Sequence, residues 1–145
     1  MKKKIKILIV RSKFNNTIKL YESATQILNK KKIKFKSIFV NGAFEIPVTI
    51  ARNIKKFDGV MALGIIIKGE TPNFELISQA ITQGLINLAV LHKKPIGNAI
   101  LTCLNSAQAK RRIHKGKEAV EAVLDVLSQK WHNKLLKKIQ VPELE

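Results

Sequence analysis

The stretch GVMALGIII, residues 59–67, decides the fold class, because it is a continuous apolar run without a charged side chain. A strand that is apolar on both faces is typical of a parallel sheet covered by helices on both sides. Residues 73–91 follow it and place their apolar side chains at helical spacing, at positions 77, 80, 81, 84, 85 and 88. This strand and helix predict one unit of an α/β fold.

Two similar units precede this one. Residues 6–10 form a short apolar run, and the segment after it, from Thr17 to Leu28, repeats its apolar residues at helical spacing. Residues 34–40 alternate apolar and polar side chains and break at Asn41-Gly42, after which residues 45–54 can form a helix with Pro47 in its first turn. Each unit is therefore a strand followed by a helix.

A fourth unit completes the pattern, with a strand over residues 95–102, a short helix over 106–112 and a long helix over 118–131. Strands that alternate with helices at these lengths pair in parallel through right-handed crossovers. The sequence predicts a three-layer α/β/α sandwich with a four-stranded parallel sheet and flavodoxin-like topology. We expect residues 1–145 to be a single domain, with a polar tail over about 133–145.

The start of the chain and its hydropathy indicate where in the cell the protein is expected to be. The apolar run after the first lysines, residues 7–10, is too short for an export signal, and no apolar run stands out as long enough to cross a bilayer. The chain has one cysteine, Cys103, which we interpret as a small buried apolar residue. A cytoplasmic protein with no membrane partner is expected.

The net charge of +17 normally places nucleic acid or an anionic membrane among the candidate partners. The basic residues are mostly lysines scattered along the whole chain, without interleaved aromatic residues or a nucleic-acid motif. This scatter favours a solvated surface, so no nucleic-acid partner is expected. Attraction of phosphorylated substrates is compatible with either interpretation.

Ligands of such sheets bind beyond the carboxyl ends of the strands, which here are followed by residues 11–16, 41–47, 68–73 and 102–106. In the third segment Gly69 allows close backbone approach, Thr71 suits a helix cap and Pro72 suits the first helical position. Free amides at that helix start would attract a phosphate, although an ordinary capped helix has the same residues. In the second segment Glu45 could bond polyol hydroxyls or act as a first-turn carboxylate.

These segments together resemble the lumazine synthase family. Asn41 to Pro47 is similar to its ribityl-site signature, and Leu63-Gly64 through Lys68 to Phe74 is similar to its phosphate-loop signature. Phe14-Asn15, Leu101-Thr102 and Gln108 to Gly116 resemble further family segments in the same order. The resemblance covers nearly the whole chain.

The resemblance implies site roles for matching positions. Phe14 would stack on the pyrimidine, with Asn98 where many relatives have an aromatic residue that covers it from the adjacent subunit. Ala43, Phe44 and Glu45 would contact the ribityl chain, and the backbone of Ile65, Ile66 and Ile67 would read the ring. Amides of Gly69, Glu70 and Thr71 would hold the phosphate together with Arg112 from a neighbouring subunit. Lys115 would lie near the same pocket.

One catalytic position departs from the family pattern. Asn73 stands where the family has a proton-shuttling histidine, and an amide cannot titrate. Of His92, His114 and His132, only His114 lies beside a motif residue, Lys115, and an ordinary surface histidine is the competing interpretation. Acid-base help is therefore expected to be reduced or relocated.

The implied activity is condensation of 5-amino-6-(D-ribitylamino)uracil with 3,4-dihydroxy-2-butanone 4-phosphate to 6,7-dimethyl-8-ribityllumazine, with release of phosphate. The resemblance implies no metal and no organic cofactor. It implies a homopentamer that in some members assembles into a sixty-subunit shell, and riboflavin synthase as a candidate partner. Asn73 also supports an alternative. The chain would then be a catalytically weakened paralogue that binds flavins or lumazines or forms a shell.

Overall fold

The computed structural model describes residues 4–129. Its sheet contains strands β1 (Lys6–Ser12), β2 (Lys34–Val40), β3 (Gly59–Ile67) and β4 (Ile96–Cys103) in the order β2-β1-β3-β4. All three strand pairs are parallel. The predicted four-stranded parallel sheet is confirmed, and the order is the one that the flavodoxin-like topology requires.

Five α-helices cover the two faces of the sheet: α1 (Ile18–Lys30), α2 (Ile46–Asn53), α3 (Asn73–His92), α4 (Ser106–Lys110) and α5 (Lys115–Leu127). One buried cluster joins residues of α1 and α5 to one face of β1, β3 and β4. A second joins residues of α2 and α3 to the opposite face. Successive side chains of a strand point to opposite faces of the sheet, so each strand contributes to both clusters. This explains why β3 is apolar along its length.

Strand β3 extends beyond its neighbour on one side. It pairs with β1 only as far as the partners Arg11 and Leu63, but it pairs with β4 as far as Ile67 and Cys103. Within residues 4–129, no strand pairs with residues 64–67 on the β1 side. The carboxyl end of the sheet therefore contains a step that exposes one edge of β3.

Several element ends differ from the sequence predictions. β1 continues through Ser12, and a single 3-10 turn, Ala43–Glu45, precedes α2 where a helix from residue 45 was predicted. α4 ends at Lys110 rather than residue 112. α5 begins at Lys115 rather than residue 118 and ends at Leu127, while Trp131 and the tail 133–145 lie outside the described residues. The early start of α5 has a packing cause, because Gly116 lies buried against α1.

Helix α3 overturns the expectation that no apolar run is long enough to cross a membrane. Its 20 residues include a window with mean hydropathy 1.3, which by length and composition alone would suffice, and 11% of that window is buried. The helix also contains Glu75, Gln79, Gln83 and Asn87. Polar side chains at this density are typical of a helix at a protein surface or interface.

The contact between α1 and α5 depends on Gly116. A Cβ atom at this position would lie 2.5 Å from the Leu20 carbonyl oxygen and 3.2 Å from the Ala24 amide nitrogen. Both neighbours are backbone atoms, so the two helices would have to separate. We expect Gly116→Ala to lower the free energy of unfolding by about 1–3 kcal/mol in urea denaturation.

Gly84→Ala provides the matched control. It is also a helical glycine, but its added Cβ would meet only Pro47 side-chain atoms at 3.6 Å and 3.8 Å. Alanine should stabilise that helix by about 0.5–1 kcal/mol. Equal effects of the two substitutions would contradict the packing explanation.

Candidate functional site

The four predicted ligand segments meet at the carboxyl edge of the sheet. The Lys13 and Phe14 amides donate to the Val40 and Asn41 carbonyls at 2.8 Å and 3.0 Å, which joins the first two segments. The Lys68 amide donates to the Cys103 carbonyl at 2.9 Å and joins the last two. The Asn15 side-chain amide donates to the Ile65 carbonyl at 2.9 Å across the step in the sheet. One continuous surface results.

Two aromatic rings stand exposed on this surface. The side chain of Phe14 is 70% exposed and that of Phe44 is 66% exposed. Phe14 is held on a tight turn in which the Thr17 hydroxyl donates to the Ser12 carbonyl and both Asn15 and Asn16 have positive φ angles. Exposed rings on an ordered loop beside a sheet edge are typical of a binding surface.

The segment 41–47 places its three predicted contact residues differently. Ala43 is buried, whereas Phe44 and Glu45 are exposed. A Cβ at Gly42 would lie 3.5 Å from the Glu45 carboxylate, so that side chain folds back over the turn. Glu45 is also the residue before α2, so its carboxylate lies in the region where a helix start favours negative charge.

The exposed edge of β3 contains Ile65, Ile66 and Ile67. Ile65 is buried, and the other two side chains are partly buried. Backbone groups alternate between the two edges of a strand, and the Ile65 carbonyl faces the β1 side, where Asn15 bonds it. The amide and carbonyl of Ile67 share that side, beyond the end of the β1 pairing. They are available to a planar ligand with donors and acceptors.

The start of α3 is open to solvent. The residues 69–73 are all exposed, and the Leu76 amide makes the first bond of the helix, at 3.4 Å to the Pro72 carbonyl. The amides of residues 73–75 precede that bond. A shallow pocket of about 480 Å³ lies here, lined by Lys68, Glu70, Thr71, Pro72, Glu75 and Leu76.

The predicted cap of α3 is wrong in detail. Pro72 is the residue before the helix, and no side-chain oxygen caps it, so Thr71 is not the cap and Pro72 is not the first helical residue. Lys68 contributes a positive charge 3.7 Å from the Glu75 carboxylate, with both side chains about half exposed. Because no side chain occupies the cap, the open amides remain accessible to an anion.

Arg112 lies on the turn between α4 and α5, and Lys115 is the first residue of α5. The Arg112 side chain donates to the Gln108 carbonyl at 3.0 Å, and the Lys115 amide donates to the Arg112 carbonyl at 3.0 Å. The Lys115 ammonium lies 3.1 Å from Glu118. Both side chains are exposed, and neither lines the pocket at the start of α3 in the same copy.

Asn73 is exposed at the start of α3, close to the residues that line this pocket. His92 lies at the opposite end of that helix. His114 lies in a groove between α1 and α5, with Glu118 at 3.7 Å. His132 lies outside the described residues. Asn98 pairs with Ala62 in mid-sheet, about five strand residues from the carboxyl edge, and its side chain accepts a bond from the Ile100 amide at 3.0 Å.

Two residues at this site carried no role in the sequence reasoning. Asn15 spans the step to Ile65, and its positive φ of 68° is a conformation that asparagine tolerates better than most residues. Ser12 lies beneath the surface, fully buried with no partner for its hydroxyl in the described part of the chain, and it packs against Gly64. The Asn15-Asn16 pair could have signalled the turn, but nothing local could have indicated Ser12.

Comparison with known proteins gives a consistent result. The family model described as 6,7-dimethyl-8-ribityllumazine synthase matches residues 4–130. The 6,7-dimethyl-8-ribityllumazine synthase of Bartonella tribocorum is 38% identical over 90% of this chain and 93% of its own length. That of Cutibacterium acnes is 35% identical over 86% of this chain and 81% of its own length.

A likeness of fold alone is found in a solved structure of a split gene transketolase, described as an inactive β4 tetramer. Its TM-score is 0.51 and its sequence identity 14%, over 86% of this chain. This chain spans 40% of that protein's length.

Proposed function

Since this chain belongs to the 6,7-dimethyl-8-ribityllumazine synthase family, it is a lumazine synthase of riboflavin biosynthesis, and we propose how its residues share the reaction. The enzyme condenses 5-amino-6-(D-ribitylamino)uracil with 3,4-dihydroxy-2-butanone 4-phosphate and releases phosphate. The observation that supports the proposal is the step in the sheet, which leaves the Ile67 backbone beside two exposed rings and an open helix start. The alternative of a weakened paralogue is not favoured, because the relatives are named as the synthase.

The ribitylamino-uracil occupies the step. Its ring stacks on Phe14 and bonds the backbone of Ile67, while its ribityl chain runs along Ala43, Phe44 and Glu45. Of the other two expected positions, Ile66 turns its backbone groups toward β4, and the Ile65 carbonyl is already bonded by Asn15. The exposed Glu45 carboxylate accepts bonds from ribityl hydroxyls. Asn15 keeps its bond to Ile65 and so fixes the loop on which Phe14 lies.

The butanone phosphate occupies the shallow pocket at the start of α3. Its phosphate accepts bonds from the amides around Gly69, Glu70 and Thr71, where the helix dipole favours an anion. Glu70 and Glu75 also line the pocket, and Lys68 balances one of these two carboxylates. A further cation is needed, and Arg112 of a neighbouring copy supplies it, with Lys115 near the same phosphate and Asn98 of the neighbour beside the ring.

Catalysis depends more on the positioning of the two substrates than on acid-base chemistry. The substrate amine attacks the ketone and loss of water gives an imine, which then eliminates phosphate. The second nitrogen attacks the remaining carbonyl and closes the ring with loss of a second water. Holding both substrates in line can lower the barrier by several kcal/mol. Asn73 donates and accepts hydrogen bonds but transfers no proton, so the departing phosphate accepts protons in its place.

The exposed face of α3 supports an assembly of several copies. We call Leu76, Ala80, Gln83, Asn87, Val90 and Leu91 the α3 outer stripe, since their spacing places them on one side of the helix. Val90 and Leu91 are 70% and 74% exposed, while Gln83 donates to Asn87 at 2.8 Å. We propose that the stripe packs against another copy in a homopentamer, which is the unit of any larger shell. We also propose that the enzyme works in the cytoplasm and has riboflavin synthase as a partner.

The double substitution Val90→Lys and Leu91→Lys tests this assembly. Two ammonium groups cannot be buried without partners, so we expect the pentamer to dissociate to single copies in size-exclusion chromatography with light scattering. Thr82→Lys, on the same helix but off the stripe, should remain pentameric. A double variant that stays assembled would contradict the placement of the interface.

The activity itself is tested by mixing both substrates with the purified full chain and following lumazine absorbance. We expect product well above the uncatalysed background, with no dependence on a metal chelator. Absence of any product above background would overturn the proposed division of roles.

A further inference from the structure

The lysines that are scattered along the sequence gather at one end of the folded chain. In a parallel sheet all amino ends of the strands lie at the same edge, so the loops that lead into them become neighbours. We define the amino-edge lysines as the eleven in these loops and strand starts: Lys4, Lys6, Lys30, Lys31, Lys32, Lys34, Lys36, Lys55, Lys56, Lys93 and Lys94.

Hydrogen bonds fix these loops to one another. The Asp58 amide donates to the Lys6 carbonyl at 2.9 Å, and the Val60 amide donates to the Pro95 carbonyl at 3.0 Å. The Lys94 ammonium donates to the carbonyls of Ile54 and Lys55 at 3.1 Å and 3.2 Å. Lys6 and Lys34 are direct partners between β1 and β2. The loops before all four strands therefore form one surface.

Acidic residues are few in these loops, although Lys30 and Lys31 line the groove between α1 and α5, which also contains Glu121 and Asp125 of α5. Ten of the amino-edge lysines are exposed, and Lys94 is partly buried. Asp58 is the one acidic residue of these loops in the described range. The lysines whose ammonium groups form ion pairs within residues 4–129 are Lys68, Lys115 and Lys117, at other places. Such a concentration of like charge attracts polyanions.

A groove of about 420 Å³ lies within this surface. Its walls carry Lys6, Lys32, Lys34 and Lys36, with Phe35 among its other lining residues. Lys34 and Lys36 lie on the same face of β2, about 7 Å apart. These lysines place several cations close together along an open groove, which suits a chain of phosphates.

We propose that the amino-edge lysines bind a nucleic-acid strand through its phosphates, without reading its bases. Base stacking requires exposed rings, and the aromatic residues here are Phe35, which is partly buried, and Phe57, which is buried. The surface is at the opposite end of the sheet from the substrate site, so both can be occupied together. This inference is independent of the proposed substrate contacts, and it revises the expectation that the charge has no nucleic-acid role.

The test uses two triple variants of the full chain that lose the same charge. One is Lys32→Gln with Lys34→Gln and Lys36→Gln; the control is Lys19→Gln with Lys110→Gln and Lys117→Gln, all outside the amino edge. Binding to a labelled 20-nucleotide oligouridylate is followed by fluorescence anisotropy at several salt concentrations. Loss of three phosphate contacts should reduce the slope of log affinity against log salt by about 2 in the first variant. The control should keep the wild-type slope.

Lumazine formation should be unchanged in the first variant, which separates this surface from the substrate site. If that variant folds poorly, Lys32→Gln with Lys55→Gln and Lys56→Gln, all outside the strands, replaces it. Equal weakening in the two triple variants would attribute binding to net charge and overturn the proposal. Binding to vesicles of phosphatidylserine and phosphatidylcholine, with none to the oligonucleotide, would overturn it in favour of a membrane surface.

Discussion

Replacing Arg112 with alanine is expected to lower kcat/KM by about 100-fold or more, because the substrate phosphate then loses its guanidinium partner from the neighbouring copy. The pocket at the start of α3 already contains two carboxylates, Glu70 and Glu75, and one lysine. Without an added cation it is a poor site for a dianion. Arg112→Lys should recover only part of the activity, since an ammonium cannot make the two parallel bonds of a guanidinium. Steady-state kinetics at varied butanone phosphate measure the effect.

Mixed assemblies show whether Arg112 acts across an interface. A second inactive variant, Phe44→Ala with Glu45→Ala, removes the ribityl contacts of the copy that holds the pyrimidine. When the two variants are unfolded, mixed equally and refolded together, about a quarter of the sites contain both native halves, because each half is native in half the copies. We expect about that fraction of wild-type activity. No recovery in mixtures that form pentamers would place Arg112 in its own copy's site.

The second large effect is expected for Asn73→His, which should raise the catalytic rate instead of lowering it. A histidine at the start of α3 can transfer protons at neutral pH, and general acid-base catalysis is typically worth about 100-fold or more. We expect kcat to rise by at least about tenfold, with KM nearly unchanged, because the exposed Asn73 makes no described contact that the substitution removes.

The pH profile distinguishes this explanation from a general improvement in packing. The variant should acquire a dependence on a group that titrates near pH 6.5, the usual range of histidine, which the wild type lacks at that position. Asn73→Gln serves as the control, because it lengthens the side chain without adding a titratable group. A faster variant with an unchanged pH profile would reject proton transfer as the cause.

The sequence predicted the sheet because its strongest signal is local. The apolar run 59–67 and the helical spacing after it remain strand and helix in the fold, with the same first residues. The ends of α2, α4 and α5 were less predictable, since they depend on contacts between distant residues. Glycine has a low helix propensity, so the chain neighbours of Gly116 do not predict a helix start there, yet Gly116 allows α5 to begin early against α1.

The four segments of the candidate site were predictable from the sequence, but the contacts that join them into one surface were not. Phe14, Phe44 and the start of α3 were located from motifs, and their exposure follows from turn and helix-start residues near them. The Asn15 bond to Ile65 spans 50 positions and has no local signature. The gathering of the lysines at one edge was not predictable for the same reason, because even scatter along a chain says nothing about where parallel strands bring their loops.

The short pairing of β1 leaves the proposed substrate site open. If β1 continued beside β3 for four more residues, its backbone would bond the Ile67 edge and close that site. We therefore expect insertions that lengthen β1 after Ser12 to lower activity more than insertions in the lysine-rich loops at the other end. The difference in strand length sets the width of the proposed opening, and an engineer could change that length to resize it.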